Sequence, residues 1–197
     1  MKNIIKSVFC ICLCIVAVLS LSSCSKNRIT EENVKQTVAT VETALKDFDT
    51  ETLNKYVKST TLDYIIKLAD QHEQFSKLGK KIFANIQLEV KSVDVKNKTV
   101  TIAVSNTKID EVASEFASQL KSKYSTIQLL KMLNDESFLN TSLNDLIYKI
   151  GISNESVQAE VTVNVSKGDK NLVLDLDETA EDAFSGGALK AIKKIYG

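Results

Sequence analysis

Val157-Gln158-Ala159-Glu160-Val161-Thr162-Val163-Asn164-Val165 alternates apolar and polar residues without a break. After Gly168-Asp169 the chain alternates back through Leu172, Leu174 and Leu176. Successive strand side chains point to opposite faces, so this period of two predicts a β-hairpin with one apolar face. The same signal lies upstream in Ile86, Leu88 and Val90, then in Val93 and Val95 after a one-residue shift. The shift predicts a bulge near Lys91-Ser92, where one extra residue flips the pattern. Lys96-Asn97-Lys98 reads as a turn into Val100, Ile102 and Val104, which completes a first hairpin.

Helical periodicity fills the spaces around the hairpins. Thr30 is a plausible N-cap for Val34, Val38, Val41, Leu45 and Phe48, which recur at steps of three and four. Asp49 or Thr50 caps a second stretch with Leu53, Tyr56 and Val57, and Thr60 to Asp63 resembles a capping box. Leu62, Ile65, Ile66, Ala69, Phe75, Leu78 and Phe83 follow, with Gly79 placed to end or bend the segment. Asp110 opens a long helix through Val112, Phe116, Leu120, Ile127, Leu130 and Leu133. A polar break over 134–140 precedes a short helix, Thr141 to Ile150, stopped by Gly151. Thr179 to Tyr196 is helical in pattern but interrupted at Ser185-Gly186-Gly187. The expected fold class is α+β: N-terminal helices packed on a curved antiparallel sheet of about four strands, two hairpins separated by a long helix. Apolar residues on one strand face only fit that layering.

The first residues carry a different signal. Lys2 and Lys6 precede an apolar run from Val8 to Leu19, followed by Leu21-Ser22-Ser23-Cys24 and polar residues. A basic start, an apolar run and small residues in that order read as a secretory signal. The run is shorter than the ~20 apolar residues of a comfortable membrane span. Leu21-Ser22-Ser23-Cys24 resembles the lipobox of bacterial lipoproteins. That resemblance implies cleavage after Ser23 and diacylglycerol attachment to Cys24 through a thioether. Two acyl chains make a stable anchor where one is marginal. The expected organisation is a signal peptide over 1–23, a lipidated cysteine and short linker over 24–29, and one α+β domain over 30–197. The expected location is the extracytoplasmic face of the cell membrane.

Composition narrows the chemistry. Loss of residues 1–23 leaves 174 of 197 residues, which suits one ordinary domain. It removes two lysines and no acids, so the remainder carries a charge of about −2, with no electrostatic case for nucleic acid. Arg28 is the only arginine. Arginine is the preferred fork for phosphate, so a dedicated phosphate reader is not expected. The four cysteines are Cys10, Cys12, Cys14 and Cys24. Three leave with the signal and the fourth takes lipid, so the domain has no disulfide, thiolate nucleophile or cysteine metal ligand. Abundant Lys, Asn and Ile with almost no Arg resembles the product of an AT-rich, clostridium-like genome.

Several features together are similar to uncharacterised Gram-positive surface lipoproteins. They are Lys91-Ser92-Val93-Asp94-Val95, then Thr99 to Asn106, then Asp110 opening a helix, with the tail Phe184-Ser185-Gly186-Gly187-Ala188-Leu189. The resemblance covers most of residues 30–197 and implies a cystatin-like or NTF2-like cone, a curved sheet wrapped over helices. Related domains often carry a Trp in the last strand, where this chain has Asn171-Leu172. The resemblance supplies no catalytic residues.

Candidate sites are few. His72 is the only histidine, and Asp70 and Glu73 do not share its helix face, so it reads as a solvated surface residue. Asp175, Asp177, Glu178, Glu181 and Asp182 suggest a calcium site at first sight. They lack EF-hand spacing, and acids in a first helical turn are favoured by the dipole alone. Gly186-Gly187 has no following Lys-Ser/Thr, so it is no phosphate loop; a bend or close packing is expected. Tyr64, Tyr124 and Phe83 are candidates to line a cavity, although aromatics at helical spacing more often belong to a plain core. No serine stands in a nucleophile elbow.

The sequence therefore assigns Cys24 as a lipid-attachment residue and assigns no catalytic residue, metal ligand or cofactor. The expected function is a lipid-anchored binding or interaction module for a small ligand or an envelope protein. Its ligand, apolar or zwitterionic, is expected on the face formed by residues 86–104 and 157–176. The alternative is a small NTF2-like hydrolase or isomerase with a carboxylate or His in the cone. A transporter's solute-binding protein needs two lobes that 174 residues do not provide.

Overall fold

The computed structural model describes residues 27–196. Helix α1 (Glu31–Asp47) starts at Thr30, whose hydroxyl accepts from Asn33 N at 3.3 Å. It ends where Phe48 turns left-handed at φ 49°. Its apolar stripe, Val34, Val38, Val41 and Leu45, is buried. Asp49 caps α2 (Thr50–Tyr56), and the chain then straightens into β1 (Val57–Lys58). The next cap is Ser59 rather than Thr60: its Oγ accepts from Leu62 N at 3.0 Å and opens α3 (Thr60–Gln71). His72 separates α3 from α4 (Glu73–Phe83).

Gly79 does not end α4, which runs on to Phe83. It is buried within the helix, and a Cβ there would lie 2.4 Å from Phe48 Cε2. The missing side chain lets the Phe48 ring approach the helix and stack on Phe83 with centroids 6.4 Å apart.

The first hairpin is β2 (Gln87–Asp94) and β3 (Thr99–Thr107). Val90 pairs with Ile102 and Ser92 with Thr101, so Lys91 is the extra residue of the expected bulge. The second hairpin is β4 (Ser156–Lys167) and β5 (Leu172–Asp175). β3 and β4 pair antiparallel along their length, from Thr99↔Asn164 to Thr107↔Ser156. The sheet order is β1-β5-β4-β3-β2, an open sheet of five strands. This corrects the expected antiparallel sheet of about four strands: β1 adds a fifth, parallel to β5 through Val57↔Leu174 and Lys58↔Asp175. Two residues are too few to show a period of two, so Val57 reads as a continuation of α2's apolar pattern.

The long helix expected from Asp110 is two helices. α5 (Asp110–Lys123) stops where Tyr124 is extended, and Ser125 with Gln128 forms a capping box for α6 (Thr126–Met132). α7 (Glu136–Ile152) is longer than expected because Asp135 caps it, accepting from Ser137 N and Phe138 N. After the sheet come α8 (Glu178–Phe184) and α9 (Ala188–Tyr196), separated at Ser185-Gly186-Gly187 as the sequence predicts. No helix of the described residues is long and apolar enough to cross a membrane.

Two apolar clusters form the core. The larger joins the inward strand residues, such as Val100, Ile102, Val163 and Leu174, to α1, α2, α3 and α8. The smaller consists of Ile109, Ala113, Leu146, Ile150, Ala188 and Ala191, where α5, α7 and α9 meet. Ile82 of α4 packs against both. The opposite sheet face stays in water, with Gln158, Glu160, Thr162 and Asn164 of β4 exposed.

Candidate binding cavity

The seam between the two clusters is not filled. A hollow of about 240 Å³ lies there, and the wall exposed to it is apolar. Leu45, Leu62, Phe83 and Phe184 reach it from the larger cluster, and Ile109, Ala113, Leu146, Ile150 and Ala188 from the smaller. Its edge includes Ile65, Phe75, Phe116, Leu189 and Ile192, which are partly exposed, Ile192 by 40%. The seam exists because β3 runs on into α5 at one end of the sheet, so α5, α7 and α9 pack on each other beyond the strands.

Asn106 and Gly186 fix this junction. Asn106 is 1% exposed. Its Nδ2 donates to Ile82 O at 3.1 Å and Phe184 O at 2.7 Å, and its Oδ1 accepts from Thr107 N at 2.8 Å. One amide thus satisfies carbonyls at the C-terminal ends of α4 and α8, which their own helices leave unpaired. Gly186 has φ +65°, and its carbonyl accepts from Ile109 N at 3.0 Å. Nothing in the pattern of Asn106 separates it from an ordinary strand residue. Only its inward place in the alternation after Val100, Ile102 and Val104 marks it as a buried amide.

Glu181 is the one ionisable side chain among the lining residues. Its carboxylate is engaged by α3. Ser59 Oγ donates to Oε1 in a short contact, Thr61 N donates to Oε1 at 3.3 Å, and Thr61 Oγ1 donates to Oε2 at 2.7 Å. The positive end of the α3 dipole favours a carboxylate there. The rest of the acidic group is dispersed over separate partners. Asp175 accepts from Ser166 Oγ, Asp177 caps α8 through Ala180 N, Glu178 pairs with Lys193 at 2.7 Å, and Asp182 accepts from Lys190 N at 2.7 Å. Among the described residues no group of three or more His, Cys, Asp or Glu is placed to hold a metal ion.

His72 is not the solvated residue that the sequence suggests. It occupies the break between two helices, and its side chain is only 12% exposed, with Nδ1 3.9 Å from Glu136 Oε1. Its ring packs on Phe75 with centroids 6.4 Å apart. Nδ1 has no hydrogen-bond partner among the described residues, and it does not line the hollow.

Of the three aromatics named as cavity candidates, Phe83 lines the hollow, Tyr64 is 53% exposed, and Tyr124 packs edge-on against Phe138. The ligand face expected over 86–104 and 157–176 shares only Leu176 with the hollow. Its inward residues, Val100, Ile102, Leu172 and Leu174 among them, are fully packed. At the far end of α9, Tyr196 OH donates to Ala117 O at 3.2 Å, and burial pushes the phenol's pKa up. Cys24 and the expected signal segment over 1–23 lie outside the described residues. No protein-family model matches the chain, and no curated protein or solved structure is significantly similar to it.

Proposed function

We propose that the chain is a lipid-anchored, extracytoplasmic binding module of the kind found among Gram-positive surface lipoproteins. Its fold would be a cone of the NTF2-like or cystatin-like type. The observation that carries the binding half is the hollow of about 240 Å³ with apolar walls between two packed clusters. A cavity of about 150 Å³ lined by Leu, Ile and Phe stays dry and takes up benzene or xenon. Unfilled apolar space forfeits contact energy, which a bound apolar molecule recovers. Xenon occupancy of the hollow in pressurised crystals tests this half directly.

The same wall bears on the alternative, a small hydrolase or isomerase. General acid–base chemistry needs a titratable group within reach of the reacting atoms. The hollow offers Glu181, which is held by Ser59 and Thr61, and no histidine. Binding is the better reading of such a wall.

The anchor rests on Leu21-Ser22-Ser23-Cys24 behind its apolar run. A linker of about five residues reaches roughly 15–18 Å, so the domain would sit against its membrane. Cells fed a labelled fatty acid should transfer label to the wild-type chain and none to Cys24→Ala. Equal labelling of both would remove the anchor from this reading.

A further inference from the structure

We propose that the hollow takes the tail of a single-chain amphiphile whose anionic head rests against Lys190 and Lys194 of α9. This deepens the binding reading above and rests on it.

The interior can hold a tail but not a head. Its exposed wall is apolar, and the Glu181 carboxylate is turned to Ser59 and Thr61. A polar head placed inside would lose water and find no partner. At about 240 Å³ the hollow exceeds the roughly 150 Å³ cavity that takes up benzene, so it has room for a short alkyl tail.

The edge of the hollow sets the head. Leu189 lines the hollow and also borders a shallow depression containing Glu178, Asp182, Lys190, Lys193 and Lys194. The two acids there are engaged: Glu178 with Lys193 at 2.7 Å, and Asp182 with the backbone N–H of Lys190 at 2.7 Å. Among the described residues no carboxylate lies within ion-pair distance of the Lys190 or Lys194 ammonium. Three lysines face two carboxylates in that depression, so among the described residues a head leaving the hollow at Leu189 meets a net positive charge. Lys190 and Lys194 are exposed, so solvent and salt moderate their pull.

The test uses the full chain in nanodiscs of zwitterionic lipid. A diazirine-bearing octanol serves as photoreactive reporter, and octanoate, octanol and octylamine compete with it. Labelled peptides are expected from α5 and α9. Octanoate should compete about five- to tenfold better than octylamine in low salt, and the ratio should shrink in high salt. The Lys190→Glu, Lys194→Glu double variant should still take the reporter, which shows that it is folded and open, while losing or reversing the head preference. Comparison with this variant also cancels the competitors' unequal partition into the bilayer. Reporter labelling with no carboxylate preference overturns the inference and leaves the binding reading standing. No labelling in either wild type or Cys24→Ala overturns both. Labelling that occurs only in Cys24→Ala assigns the hollow to the chain's own lipid and overturns the proposal of a free ligand.

Discussion

Gly186→Ala is expected to lower the stability to unfolding in urea by about 4 kcal/mol or more, enough to leave an ordinary domain barely folded. Two independent costs combine at this position. The backbone sits at φ +65°, where a side chain is strained by about 1–3 kcal/mol. An added Cβ would also fall 2.0 Å from the Thr107 carbonyl oxygen. That neighbour is backbone, held by the β3–β4 pairing of Thr107 with Ser156, so it has little freedom to retreat. Relief requires α8 and α9 to draw away from the end of β3, which breaks the Ile109 N–Gly186 O bond. Gly187 is the internal control. Its φ is +87°, but its added Cβ meets nothing nearer than the Asp110 side chain, at 3.1 Å. Gly187→Ala should therefore cost about 1–3 kcal/mol, the strain alone. A loss at Gly186 no larger than at Gly187 would contradict the close approach.

Asn106→Leu is expected to cost about 3–5 kcal/mol, although the two side chains are similar in size and the site is buried. The substitution strands Thr107 N–H and the carbonyls of Ile82 and Phe184, and each buried polar group left alone costs about 1–3 kcal/mol. Asn106→Asp separates the donor from the acceptor. It keeps an oxygen for Thr107 N–H but turns two donated bonds into carboxylate–carbonyl repulsion, so it should be no milder than leucine at neutral pH. Denaturant midpoints of the three proteins measure this. A leucine variant within about 1 kcal/mol of wild type would show that the amide does not hold α4 and α8 to the sheet.

Both positions show how the sequence conceals what it encodes. Strands were legible where alternation runs long, as in 157–165, and the flip between Val90 and Val93 marked a bulge that the pairing bears out. β1 was not legible. A strand of two residues has no period, and Val57 joins the sheet only because Leu174 of the last strand lies beside it. The two helices over 110–132 read as one in sequence for the opposite reason. Ile127 and Leu130 carry on a helical spacing across Ser125, yet both are exposed, by 69% and 58%. The capping box of Ser125 and Gln128 is the local signal that contradicts the apolar period.

The acidic stretch 175–182 reads as one cluster in sequence and is five separate interactions in space. Each carboxylate takes a different donor, although Glu178 and Asp182, four apart on α8, border one depression. The hollow was the least legible feature. Its walls come from seven helices and the segments between them, and each wall residue looks like ordinary core on its own element. An unfilled seam is a relation between elements, set by how far α5, α7 and α9 stand from the sheet cluster. The inward residues of the strands are already used in packing, so the hollow meets the expected ligand face only at Leu176.

Xenon-pressurised crystals test most directly whether the seam is an open, apolar binding space. The expected result is anomalous density among Phe83, Ile109, Ala113 and Leu146, with no ordered water in its place without the gas. An absence of xenon there, with those side chains closed on each other or water bound between them, would contradict the cavity as a ligand site.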